Sequence, residues 1–260
     1  AAHRSRAAAA ANGILEVIER DAVAITWQAS LAKPRIDLRT VGAEHRTCLA
    51  KFRKAGYEVQ VVYAANELPL PTFLAVMRGG PGRAPLTLGA ATHPDKDVAF
   101  TKCLEELALM ERALRTSLPG DEPGPLPDFN RVLHFQDQLA LWARPDFARH
   151  ADFLLANPRE LDFGDLPGVS YPDAERLLRD LVELVDVAGY RVLLADLTPA
   201  PIEALGFYTV RAVIPGFHPI ASGHPYRALG GRRLWSIPQQ LGYRGIDPAD
   251  GDNPIPCPFT

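Results

Sequence analysis

Glu16, Glu19 and Arg20 are the residues of this 260-residue chain whose types and spacing most directly suggest chemistry. At about 100° per residue, a helix turns Glu19 and Arg20 to within roughly 60° of Glu16, one on either side. Ile14, Leu15, Val17 and Ile18 surround them with apolar groups. Two carboxylates on one face are hard donors suited to a divalent cation such as magnesium, and a guanidinium one turn along suits phosphate oxygens. The plain alternative is an i,i+4 ion pair between Glu16 and Arg20 on a solvated helix, a contact of about 0.3–0.5 kcal/mol. In an apolar setting the carboxylates need a partner in either case, because unpaired buried charge is costly.

Other positions offer weaker chemistry. Lys102, Glu105 and Glu106 fall within one turn and a half of a later helical segment and could add magnesium or phosphate contacts, or form a solvated face. Asp196 closes an apolar strand, where ligands of open sheets bind, or else caps the turn before Pro199. No G-x-x-x-x-G-K-[ST] or G-x-G-x-x-G is present, and the Gly-rich stretch Arg78 to Arg83 lacks a strand-to-helix context, so it reads as a hairpin connection. His134, His218 and His224 are not spaced as metal ligands, and no Ser or Cys sits in a nucleophile turn. The ending Asn253-Pro254-Ile255-Pro256-Cys257-Pro258-Phe259-Thr260 favours an extended polyproline rod. Such a rod is either a free tail for an aromatic groove elsewhere or a segment that threads back into its own domain.

These groups need elements to position them. The pattern predicts a long helix over 5–29, a second over 42–55 closed by Gly56, and strands at 57–64, 72–78 and 86–90. A third helix runs 93–118 with Leu104, Leu107, Ala108 and Leu114 as its apolar stripe, and a Pro/Gly-rich loop follows over 117–127. Two short helices split before Pro145, a helix at 173–187, strands at 190–198 and 208–214, and an irregular stretch after Gly230 complete the chain. The order points to an α/β (α+β) fold, a mixed sheet covered by helices. A formal net charge of −3 and pI near 6.2 give no footprint for nucleic acid or an anionic membrane, and no run of apolar residues is long enough for a transmembrane helix. Cys48, Cys103 and Cys257 have no metal-ligand spacing and suit a reducing cytoplasm. Lacking an initial methionine, the chain reads as a piece of a longer polypeptide.

Three stretches resemble the YcaO family, in particular its azoline-forming cyclodehydratases: GILEVIERDAVAITW (13–27), LLADLTPAPIEALGFYTVRAVIPGFHP (193–219) and the ending NPIPCPFT. DVAFTKCLEE (97–106) also looks like the family's second A-L-x-E helix. The resemblance implies an ATP-binding fold that coordinates Mg2+ through glutamates, with Glu16 and Glu19 on the metal, Arg20 on phosphate, and Lys102 and Glu106 as further nucleotide-site residues. It assigns Pro254, Pro256, Pro258 and Thr260 to the substrate side of the site. The implied reaction is attack by a Cys, Ser or Thr of a precursor peptide on the preceding backbone amide, whose oxygen ATP phosphorylates so that phosphate leaves as a thiazoline or oxazoline forms. Thioamide or amidine formation, and a non-catalytic peptide-binding scaffold, are the alternatives. Implied partners are a leader-bearing precursor peptide and a ThiF-like or leader-binding protein, with a homodimer allowed. Residues 1–260 are expected to be the C-terminal part of a single domain ending in the tail 253–260. The family's first metal-binding helix is expected upstream of Ala1, and Ala8 stands where an acidic residue is usual, so this chain should hold about half of the nucleotide site.

Overall fold

The computed structural model describes residues 1–116 and 128–259. The loop expected over 117–127 and the chain-end Thr260 lie outside the described residues. In chain order the elements are β1 (Ala2–His3), α1 (Arg6–Gln28), β2 (Arg35–Ile36), α2 (Ala43–Lys54), β3 (Tyr57–Tyr63), β4 (Thr72–Gly79), β5 (Leu86–Thr92) and α3 (Lys96–Thr116). These are followed by α4 (Phe135–Trp142), β6 (Glu160–Leu161), α5 (Ala174–Val187), β7 (Leu193–Asp196), α6 (Ala200–Ala204), β8 (Tyr208–Val213) and α7 (Arg232–Gln240). No helix among the described residues is long and apolar enough to cross a membrane.

Two sheets form where one was expected. The larger has the order β5-β4-β3-β2-β6 and is mixed, since β2 pairs with β6 in parallel while its other pairs are antiparallel. The smaller, β1-β8-β7, is antiparallel. Strand periodicity gives the large sheet two apolar faces. Val62, Leu74, Val76, Leu88 and Ala90 pack with Val23 and Trp27 of α1 and with Trp142 of α4, while Val61, Phe73, Ala75, Met77 and Ala91 pack with α3 and with Leu49 of α2. The N-terminal half of α1 lies on the small sheet, through Ala9 and Ala10 against Val210 and through Ala11 and Ile14 against Ala212. At about 1.5 Å per residue, this 23-residue helix is roughly 34 Å long. It therefore reaches both sheets and carries the site between them.

Two glycines set the close approaches. A Cβ on Gly13 would sit 3.2 Å from the Ala212 Cβ, so α1 rests on β8 nearly backbone to side chain. At Gly89 the contact is tighter, since a Cβ would meet Leu107 N at 2.5 Å and Cys103 O at 2.7 Å, both backbone atoms of α3. Gly89→Ala should push α3 off β5 and cost about 1–3 kcal/mol by overpacking. Chemical denaturation checks this, and an unchanged midpoint would contradict the packing.

Three expectations are corrected. The stretch after Gly230 is not irregular, because α7 places Leu234 and Ile237 one turn apart against Ile25 and Leu31, and Pro238 is accommodated near its C-terminal end. The strand expected over 190–198 shrinks to Leu193–Asp196, because Tyr190 N still bonds back to Val185 O in the close of α5 and Asp196 accepts from Thr198 N to begin a turn. That bond makes Asp196 a turn cap, and Arg6 pairs with it at 3.0 Å. Finally, β5 extends past Ala90 to Thr92, because α3 covers its last residues.

Candidate active site

α1 presents Glu16, Glu19 and Arg20 between the sheets, and the structure divides them. Glu16 and Arg20 form the i,i+4 ion pair at 3.0 Å, with side chains 47% and 38% exposed. Such a pair is weakly held and free to exchange its partner for another ligand. Both residues line a cavity of about 560 Å³ whose other wall is β8 and the segment after it, including Arg211, Ile214, Phe217 and His218.

Glu19 turns the other way. β5 is the outer strand of the large sheet, so the amides along its free edge have no strand partner. Two of them donate to carboxylates: Ala90 N to Glu106 Oε2 at 2.9 Å, and Thr92 N to Glu19 Oε2 at 3.2 Å. Amides two residues apart point the same way. Hence α1 and α3, packed on opposite faces of the sheet, each deliver a glutamate onto one edge. A single oxygen of each carboxylate is fixed by the strand, which leaves the second without a hydrogen bond to it. Gly89 makes this possible by letting α3 settle directly on the strand one turn before Glu106.

Electrostatics ties these residues into one cluster. Burial, then the Glu106 charge, pushes the Glu19 carboxyl up to about 8, against the opposing pull of the Thr92 amide and Arg20. Burial also raises Glu106, with the Ala90 amide and Arg20 acting the other way. A divalent cation between two such carboxylates would remove the repulsion and invert both shifts. Among the described residues no group of three metal-ligating side chains is preassembled; Glu19 and Glu106 are the two carboxylates whose oxygens could take a magnesium ion, with Glu16 and Arg20 close enough to act on them. Lys102 is exposed on α3, one turn before Glu106 and near enough to His93 to help lower its pKa, after burial. Glu105 is exposed and faces away.

The tail folds back onto its own domain. Trp27 Nε1 donates to Ile255 O at 2.8 Å, Trp142 Nε1 donates to Pro256 O at 3.2 Å, and the two indoles meet edge to face at 5.6 Å. Asn253 caps the end of α1, donating from N to Gln28 O and from Nδ2 to Trp27 O. Pro256 is buried, Pro254 exposed and Pro258 intermediate, while Phe259 inserts into the core. Burial pushes the Cys257 thiol up to about 12, which leaves it unreactive. The prolines do not touch the glutamates, since Trp27 lies about 12 Å along α1 from Glu19. The tail residues beside them, Asn253, Ile255 and Cys257, line a small cleft of about 30 Å³ with Trp27 and Gln28, and Pro219 and Ile220 line both this cleft and the Glu16–Arg20 cavity.

Sequence reasoning passed over a buried ionic lock beside this site. Arg233 of α7 donates through Nε and Nη2 to both oxygens of Asp21, at 2.8 and 2.7 Å, and through Nη1 to Glu67 and the Tyr190 hydroxyl. Its guanidinium stacks on Phe217 at 4.1 Å. Burial alone would lower the Arg233 pKa, but Asp21 and Glu67 more than offset it and hold it above the ordinary value. Asp21 also accepts from Asn66 Nδ2 and His218 N. Thus the residue after Arg20 anchors the segment that floors both cavities. Close by, burial pushes Lys33 down to about 7, yet Ala64 O, Ala65 O and Asn66 Oδ1 accept from its Nζ. Three acceptors match the three protons of an ammonium, so the geometry favours the charged form.

The α+β domain thus sets three glutamates and an arginine between its sheets. The chain belongs to the YcaO family: the family described as YcaO cyclodehydratase, ATP- and Mg2+-binding, matches residues 1–218. An uncharacterised protein of Methanothermobacter thermautotrophicus is 30% identical over 91% of this chain and 58% of its own length. Among solved structures, a heterocyclase in complex with substrate and cofactor is 22% identical with a TM-score of 0.80, covering all of this chain and 32% of that one. YcaO from Methanopyrus kandleri, bound with AMPPCP and Mg2+, is also 22% identical, with a TM-score of 0.65 over 84% of this chain and 55% of that one. This chain thus spans little more than half of that relative's length.

Proposed function

We propose that this protein takes part in ATP-dependent activation of a peptide backbone amide, forming thiazoline or oxazoline rings from Cys, Ser or Thr of a precursor peptide. The observation that carries the reading is the charged cluster on α1 and α3, in which the edge of β5 fixes one oxygen each of Glu19 and Glu106 while Glu16 and Arg20 line a cavity of about 560 Å³. A cluster of carboxylates and a guanidinium beside an open cavity is what a phosphorylated cofactor with its cation would require. When bound, ATP with Mg2+ supplies the phosphoryl group that converts an amide oxygen into a good leaving group. The chain's own residues do the rest. Glu19 and Glu106 hold the metal with oxygens oriented by β5, Glu16 releases Arg20 to meet phosphate charge, and Pro254, Pro256 and Pro258 stiffen the tail that Trp27 and Trp142 hold on the substrate side. The likeness to a heterocyclase solved with substrate and cofactor supports this use of the fold. Following the family resemblance, the peptide carries a leader and is presented by a ThiF-like or leader-binding partner.

The test is mass spectrometry of a candidate precursor peptide incubated with the protein, its partner, ATP and Mg2+. Loss of one water per modified Cys, Ser or Thr is the expected outcome, and Glu19→Gln should abolish it. Exchange of oxygen for sulfur would instead favour thioamide formation, and unchanged peptide would favour a binding scaffold.

A further inference from the structure

We propose that the groove between α2 and β3, on the face of the large sheet away from the tail, binds a short acidic segment of a second polypeptide. This groove encloses about 500 Å³ and is separate from the cavities above. Its helical wall is Arg46, Leu49, Ala50 and Arg53, an i, i+3, i+4, i+7 set that forms one face of α2. Leu38, Leu49 and Val59 make an apolar floor, and the arginines stand above it.

Two arginines of this groove stand without a carboxylate partner. Arg6, Arg20, Arg35, Arg78, Arg227 and Arg233 all pair with carboxylates, and within the groove Arg39 is taken by Asp37. Arg46 donates only to the neutral Val41 carbonyl, and Arg53 has no side-chain partner among the described residues. Glu58, the acidic group in the lining, hydrogen-bonds Gln60. The helix dipole accounts for Arg53, in the last turn of α2, but not for Arg46, which lies near the N-terminus where a cation is disfavoured. An arginine held at that end by a neutral carbonyl, on one helix face with a second unpaired arginine, suits an anionic ligand that spans both.

The floor selects the kind of anion. Apolar side chains between the two guanidinium groups serve a peptide with an apolar residue between its carboxylates, whereas a phosphodiester backbone offers nothing to bury there. Arg46 and Arg53 are seven residues apart, about 10 Å along the axis. Carboxylates two to four residues apart in an extended chain span about 7–13 Å and bracket that distance.

The probe is a fluorescein-labelled peptide in which two glutamates four residues apart flank a leucine, with serine elsewhere, read by anisotropy on the whole chain. It should bind, weaken as NaCl is raised, and weaken about ten-fold with Arg46→Gln/Arg53→Gln, the combined effect of two exposed charge pairs. Arg53→Gln alone removes no side-chain contact and only the small dipole contribution, which Lys51 and Lys54 still supply; it should leave the circular dichroism unchanged, lower the melting temperature by no more than about 4 °C and still weaken binding. AMPPCP binding should be the same in all variants. Equal affinity of wild type and the double variant, equal affinity for a peptide with glutamine in place of glutamate or serine in place of leucine, or tighter competition by an oligonucleotide of matched charge would each overturn the proposal.

Discussion

Asp21→Asn is expected to destabilise the protein by about 3–5 kcal/mol, because it leaves the buried Arg233 guanidinium with half of its counter-charge. In a chain of this size, a melting temperature about 10 °C lower would follow. The side chains of Asp21 and Arg233 are 1% and 2% exposed, so water cannot replace the lost partner. Removing both charges, in Asp21→Asn/Arg233→Met, should cost less than the two single changes added together, since the fully buried pair is then gone and only the partly exposed Glu67 is left without its partner. Thermal and urea unfolding of the three variants check this. Additive losses, or an Asp21→Asn loss under 1 kcal/mol, would show that the lock contributes little. The effect should also reach the site, because the Asp21 carboxylate holds His218 N and with it the Pro219–Ile220 floor.

Glu19→Gln should have the opposite sign on stability while removing metal binding. The Glu19 carboxyl is pushed from 4.5 to about 8 in the folded chain, chiefly by burial. Between those values the folded state keeps a proton that the unfolded state releases. Folding therefore carries no cost from this group below pH 4.5, loses stability as pH rises through the window, and bears the full cost above pH 8. The steepest slope is about 1.4 kcal/mol for each pH unit. Without Mg2+, wild type should thus lose stability between pH 5 and 8, and Glu19→Gln, whose neutral amide oxygen can still accept from Thr92 N, should lose much less. At pH 8 the variant should melt higher than wild type. Added Mg2+ should reverse that order, because only wild type gains from binding. Superimposable pH profiles for the two proteins would contradict the burial-driven shift.

Much of the fold was legible because it rests on local periodicity. Helices α1, α2, α3 and α5 and the hairpin pair β3, β4 and β5 follow from apolar stripes, Gly56 and the Pro/Gly connections. The single expected sheet became two because pairing partners are set by tertiary packing: β1 joins β8 across more than two hundred residues. α7 was hidden by its arginines and Pro238, which make it a poor helix in isolation, and its stability comes from Leu234, Ile237 and the Asp21 lock. A signal for that lock did exist. Ile14, Ile18, Asp21, Ile25 and Gln28 form one heptad-spaced stripe, so a carboxylate and an amide stand at core positions and require buried partners. Their identities, Arg233 for Asp21 and His218 for Gln28, could not be read from spacing at separations near two hundred residues. The same limit applies to the site. Shared placement of Glu16, Glu19 and Arg20 on one helix was readable, but not the division by which Glu16 and Arg20 face the cavity and Glu19 joins Glu106. That division depends on the free edge of β5, a property of sheet order rather than of any segment.

The central claim is that Glu19 and Glu106, oriented by the edge of β5, hold Mg2+ for a nucleotide whose phosphates Arg20 meets. Calorimetric titration with AMPPCP, in the presence and absence of Mg2+, tests it most directly. Wild type should bind only with Mg2+ present, Glu19→Gln/Glu106→Gln should lose that Mg2+-dependent binding, and Arg20→Met should weaken it with the metal requirement kept. Binding of equal strength by wild type and the double glutamine variant would contradict the account.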